Sequence, residues 1–130
     1  MIENPDDVVV NWAKIIAGGL DEQTIREIAP TYLEESRAHF QALFSAVNTS
    51  NVKDVKLHAH AVKGVGRNLG VARLMEAAQP LETAAAKGDL SQAQELLKKV
   101  ADEFEKFEKF VSRPDWIEIA KEKAALETKS

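Results

Sequence analysis

A histidine, three basic residues and a glycine share one side of a predicted helix. They follow one another at spacings of 4, 3, 1 and 3 residues and are Lys56, His60, Lys63, Gly64 and Arg67. Residues at these spacings lie on one face of an α-helix. Positive neighbours favour the neutral imidazole, whose free ring nitrogen can attack an electrophile. The pattern therefore predicts an exposed, nucleophilic His60.

The residues next to His60 suit a phosphoryl group. A glycine at position 64 lowers helix stability by up to about 1 kcal/mol relative to alanine, which indicates that a large group must approach there. Lys63 and Arg67 can neutralise a dianion attached to the ring. His58 turns about 200° away from His60. The two rings cannot easily share a metal ion, and we expect no metal site.

The residues opposite this face predict the helix that carries it. An apolar stripe recurs every three or four residues and consists of Val55, Ala59, Val62, Gly66 and Leu69. Gly70 follows as a suitable C-terminal cap. Comparable stripes before and after this segment predict three further long helices joined by short loops.

These stripes favour an all-α fold, namely an up-and-down antiparallel four-helix bundle with a core at about residues 21–111. Short accessory helices are expected at about 6–18 and 114–126. A chain of 130 residues is long enough for one domain with its own core, so we expect a single domain over residues 1–130.

The composition excludes several classes of protein. The absence of Cys excludes disulfide scaffolds, thiolate metal sites and Cys catalysis, and the net charge of -4 argues against a nucleic-acid partner. No apolar run is long enough to span a bilayer, and the first residues lack the pattern of a signal peptide. We therefore expect a cytoplasmic protein with no membrane partner. Within this acidic chain, residues 51–73 carry five basic residues and one acidic residue.

The segment from His60 to Gly70 resembles a known family. Its sequence, His-Ala-Val-Lys-Gly-Val-Gly-Arg-Asn-Leu-Gly, is similar to the active helix of histidine-containing phosphotransfer (HPt) domains of two-component phosphorelays. The resemblance extends over about residues 25–111 and includes the Leu81-Glu82 pair. It implies that His60 is the phospho-acceptor, that Lys63 faces the phosphate and that Gly64 provides clearance.

The resemblance also implies a surface for partner docking, which we assign to Gly64, Arg67, Lys56 and Ala61. Three positions depart from the family pattern. Val65 and Arg67 stand where the family usually has Ser, Ala or Gly, and Pro80 is unexpected in the fourth helix.

The function implied by the resemblance is that of a covalent phosphoryl carrier. His60 accepts the group from a receiver-domain aspartate, or from a histidine kinase, and passes it to a response-regulator receiver. The expected partners are receiver domains and a sensor (hybrid) histidine kinase. The chain needs no cofactor of its own, since Mg²⁺ belongs to the partner receiver. A monomer is expected because one acceptor site needs no symmetry.

The sequence argues against one other function and leaves a second one open. The sequence has no glycine-rich phosphate loop and no kinase signature, so we expect no ATP-dependent kinase activity of its own. The alternative to a carrier is a non-catalytic docking or inhibitory module that binds receivers or kinases without phosphotransfer. In that case Val65 and Arg67 mark a loss of transfer.

Overall fold

The computed structural model describes Ile2 and residues 4–128. These residues form one short 3₁₀ turn, six α-helices and no strand, so the prediction of an all-α fold is confirmed for the described part of the chain. The helices are α1 (Trp12–Ala17), α2 (Glu22–Asn48), α3 (Val52–Asn68), α4 (Ala72–Ala86), α5 (Ala93–Val111) and α6 (Trp116–Thr128).

The four long helices pack around a shared core. Both α3 and α5 pack against α2 and α4, while α1 contacts α6. The centre of the core consists of side chains with no exposed surface: Leu43, Val55, Val62, Leu74, Leu81, Val100 and Phe107. Burial of each such side chain stabilises the fold by roughly 1.5–3 kcal/mol. Because these side chains belong to the apolar stripes, their burial fixes which face of each helix points outward.

The N-terminal segment contains less helix than the sequence predicts. The expected accessory helix at about residues 6–18 is wrong in its extent, because α1 covers only Trp12–Ala17. Val8 and Val10 lie before α1 in non-helical backbone and are both buried. Asn11 then caps the first turn of α1 with its side-chain oxygen. The packing of the two valines and this cap outweigh the weak helical preference of the segment.

The ends of α3 follow from its local sequence. Asn51 Oδ1 accepts a hydrogen bond from Asp54 N at 3.1 Å and so satisfies an amide that the helix itself leaves free. At the other end, Gly70 has a φ of +63°, in the left-handed region that glycine adopts without strain. The helix that carries His60 therefore has defined limits.

Both internal prolines lie within continuous helices. Pro30 is inside α2 and Pro80 is inside α4. Pro80 is exposed, so its ring does not enter the core. The departure from the family pattern at Pro80 therefore leaves α4 continuous and able to place its neighbours against α3.

Candidate functional site

The outward face of α3 presents His60. Val55, Ala59 and Val62 are fully buried on the opposite side of the helix. The His60 side chain is 60% exposed, so a large partner can reach its ring.

A carboxylate from the neighbouring helix holds the His60 ring. Nδ1 of His60 lies 2.6 Å from Oε2 of Glu82 in α4. An ionised carboxylate can only accept a hydrogen bond, so Nδ1 is the nitrogen that carries the hydrogen. The neutral ring then has its free lone pair at Nε2, which makes no hydrogen bond to any described residue. Nε2 is therefore the nucleophilic atom that this arrangement offers.

Lys63 binds the same carboxylate. Its Nζ donates to Glu82 Oε1 at 2.5 Å and to Gln79 Oε1 at 3.0 Å. The side chains of Lys63 and Glu82 are only 16% and 15% exposed. This partial burial reduces screening by water and strengthens the pairing. One carboxylate thus orients the imidazole and also holds a positive charge close to it.

Glu82 is ionised in this setting. Burial by itself raises the pKa of its carboxyl group, but the hydrogen bonds from Lys63 and His60 together have the larger effect, so the pKa of Glu82 lies below its usual value. A charged Glu82 at neutral pH agrees with the assignment of the hydrogen to Nδ1 of His60.

The predicted docking residues flank His60 and leave it open. A Cβ atom at Gly64 would meet nothing within 4 Å, so the space over this residue is free. Lys56 and Arg67 are exposed, and neither forms an ion pair within the described residues. Ala61 is half-buried. Among the predicted site residues, His60 and Lys63 both contact α4, and the Lys63 side chain is much the less exposed of the two.

Val65 and Arg67, which depart from the family pattern, lie in different environments. Val65 is 4% exposed and belongs to the core, so it does not alter the outward face. Arg67 lies two turns after His60 and within about 20° of its direction around the helix. It is exposed, so a partner that covers His60 can also contact Arg67.

Glu82 and Gln79 have no role in the prediction from sequence. Glu82 is 22 residues from His60, and Gln79 is 16 residues from Lys63. These separations reflect the packing of α3 on α4 and follow from no spacing within a single helix. Only an indirect feature of the sequence points to Glu82. It follows Leu81 on the apolar stripe of α4, and Leu81 is fully buried, so the Glu82 carboxylate lies at the border of the buried face.

The described residues have neither a metal-binding cluster nor a membrane-spanning helix. They contain no group of three or more His, Cys, Asp or Glu side chains arranged to hold a metal ion. None of the helices in this part of the chain has the length and apolar character needed to cross a bilayer.

Comparison with models of protein families shows to which family the chain belongs. The model of the Hpt domain matches residues 27–110, which is more than half of the chain and includes all of α3 and α4. The chain belongs to the Hpt domain family. Hpt domains act in phosphotransfer in two-component signalling and are phosphocarriers rather than kinases. In this Hpt domain the matched region contains His60 and Glu82. No curated protein and no solved structure gave a match.

Proposed function

We propose that this Hpt domain is a covalent phosphoryl carrier with Nε2 of His60 as its acceptor atom. The donor is the phosphorylated aspartate of a receiver domain, or a histidine kinase, and the next acceptor is a response-regulator receiver. The observation that supports this proposal is the His60 ring itself. Glu82 holds it at Nδ1, and Nε2 faces solvent without a partner among the described residues.

The transfer step requires an aligned nucleophile and compensation of charge. The Nε2 lone pair of His60 forms the N–P bond while the bond between phosphorus and the aspartyl oxygen breaks, and the aspartate leaves as a carboxylate. The imidazole becomes cationic because its hydrogen remains on Nδ1. Glu82 stabilises this charge through its hydrogen bond to Nδ1. Positioning and electrostatics supply most of the catalysis in transfers of this kind.

Lys63 acts on the transferred phosphoryl group, and the docking residues act on the receiver. We assign to Lys63 the role of stabilising the transferred phosphoryl group, which it can approach from its place beside His60. Gly64 has no side chain and Ala61 has a small one, so a receiver can approach the helix surface beside His60 closely. Lys56 and Arg67 present positive charge to the acidic pocket of the receiver. When the receiver is phosphorylated, this pocket and its Mg²⁺ together carry a net negative charge. Such contacts are sensitive to salt.

The remaining features of the proposal follow from this role. The protein acts as a cytoplasmic monomer and a single domain, with no cofactor of its own and no kinase activity. We also propose that α2–α5 form an up-and-down antiparallel bundle. Three pairs of contacts support it: Tyr32 with Asn68, Lys63 with Gln79, and Arg37 with Glu108. The same helix pairs also meet at His39 with His58, His60 with Glu82, and Asn48 with Gln94, so the contacts advance along one helix as they go back along its neighbour, as antiparallel packing requires.

Phosphotransfer from a labelled receiver tests the function. The protein should gain a label that is stable in alkali and labile in acid, and His60→Gln should remove the label completely. His58→Gln is the matched control and should retain it, because the His58 side chain points away from His60. A protein that binds phosphorylated receivers but gains no label from any of several is a docking module, and the carrier proposal is then wrong.

A further inference from the structure

A groove of about 400 Å³ lies at one end of the bundle, two turns along α3 from His60. Its walls come from α1, the first half of α2 and the end of α3, with Phe107 of α5 and Trp116 of α6 completing them. The whole of α1 and α6 lies outside residues 27–110, which match the Hpt family. The groove therefore depends on elements that this chain adds to the family domain.

Most of the residues that line the groove are apolar. Ile15, Ile25 and Phe107 are buried and form its floor. Leu20 and Ile28 line it as well, and they are 39% and 43% exposed, which is high for large apolar side chains. Concave apolar sites of this size with few polar groups are typical of small-molecule binding. At roughly 30 Å³ for each group the size of a water molecule, the groove holds about thirteen such groups, which is enough for a chain of about ten carbons and its carboxylate.

The charged residues of the groove are both cations. Lys14 and Arg67 line it together with uncharged residues only, and neither has an ion-pair partner in the part of the chain that the structure describes. The protein as a whole has a net charge of -4. Two unpaired cations beside an apolar groove therefore complement a ligand that has an apolar tail and a negative head.

Tyr32 adds a hydrogen-bond donor to the groove. Its Oη accepts a hydrogen bond from Asn68 Nδ2 at 3.0 Å, so the phenolic hydrogen is free to donate elsewhere. Burial raises the pKa of Tyr32 by more than the Asn68 hydrogen bond lowers it, and the phenol stays protonated at neutral pH. Both side chains line the groove.

We propose that this groove binds an amphiphilic monoanion, of the class of medium-chain carboxylates. The tail fills the apolar floor, and the carboxylate pairs with a lining cation, Lys14 or Arg67, and accepts a hydrogen bond from Tyr32. The proposal concerns binding alone and does not depend on phosphotransfer by His60. One consequence does rest on the proposed function: Arg67 lies on the His60 face, so a bound anion would reduce docking of a receiver there.

Calorimetry with decanoate below its micelle concentration tests the site. Decanoate should bind with a stoichiometry of one, and decanol, which lacks the charge, should bind at least about fivefold more weakly. Arg67→Gln and Lys14→Gln should each weaken decanoate binding by about fivefold. Lys87→Gln removes an exposed cation far along the chain from the groove and should leave the affinity unchanged.

A filled groove gives an independent test. Ala29 lines the groove and is half-buried, so Ala29→Phe should occupy the space and abolish decanoate binding. Amide NMR shifts of the unaltered protein with decanoate provide a measurement that does not depend on the folding of this variant, and they should cluster on α1, the first half of α2 and the end of α3. Shifts spread over the surface, equal binding of decanol, or unchanged binding by folded Ala29→Phe would overturn the proposal. The proposal would also be overturned if the protein bound no decanoate and Ala29→Phe weakened docking of a receiver. The groove would then be a protein interface.

Discussion

Replacement of Glu82 by Ala should slow phosphotransfer without removing the acceptor. In the structure, one Glu82 oxygen lies 2.6 Å from Nδ1 of His60 and the other lies 2.5 Å from Nζ of Lys63. The substitution removes both contacts. The His60 ring then loses the group that fixes its hydrogen on Nδ1 and that stabilises its positive charge during transfer.

The size of the effect follows from the hydrogen bond that is lost. Hydrogen bonds to charged groups contribute about 1.5–3 kcal/mol. Because His60 is 60% exposed, water replaces part of this interaction and the lower end applies. A loss of about 1.5 kcal/mol in the transition state slows transfer about tenfold. Glu82→Gln keeps an oxygen that can accept from Nδ1 but lacks the charge, so a decrease of about threefold is expected.

Single-turnover transfer from a phosphorylated receiver is the assay, at a carrier concentration that saturates docking. The free energy of unfolding is measured in parallel, since loss of Glu82 also leaves Lys63 without its carboxylate. Glu76→Ala is the matched control, because Glu76 is an exposed carboxylate on the same helix. ³¹P NMR of the product should show phosphate on Nε2. A folded Glu82→Ala protein with the wild-type rate constant, or phosphate on Nδ1, would refute the reasoning.

Four further predictions concern the two glycines of α3 and the acid stability of the site. Gly66→Ala should lower the free energy of unfolding by about 2 kcal/mol, because a Cβ there would lie 2.8 Å from Met75 Cγ and 2.9 Å from Val71 O. Gly64→Ala should instead raise it by about 0.5–1 kcal/mol, since a Cβ there meets nothing within 4 Å; equal effects of the two substitutions in urea unfolding would contradict this contrast. Gly64→Gln should retain full helicity yet slow transfer about tenfold or more by obstructing the receiver, and normal transfer would place the interface elsewhere. The lowered pKa of Glu82 contributes stability above its unfolded-state pKa, and this contribution is lost as pH falls through the folded-state pKa. The difference in unfolding free energy between the wild type and Glu82→Gln should therefore shrink in acid, and a constant difference would contradict the assignment.

The departures from prediction have identifiable causes. The segment before α1 contains apolar residues that suit a helix, yet Val8 and Val10 are buried in non-helical backbone. Local preference is a weak guide where packing against the rest of the fold determines the backbone. Val65 stands at a position of uncertain role in the sequence, and only its 4% exposure shows that it belongs to the core.

The sequence by itself determined the four long helices and the residues on each of their faces. Helix geometry is local, so the spacing from Lys56 to Arg67 was enough to place His60 and Gly64 on the side opposite Val62. Tertiary structure decided which groups meet across helices. Glu82 reaches Nδ1 of His60 from 22 residues away, and that contact selects Nε2 as the free nitrogen. No periodicity encodes this pairing, because it depends on how the buried faces of α3 and α4 fit together.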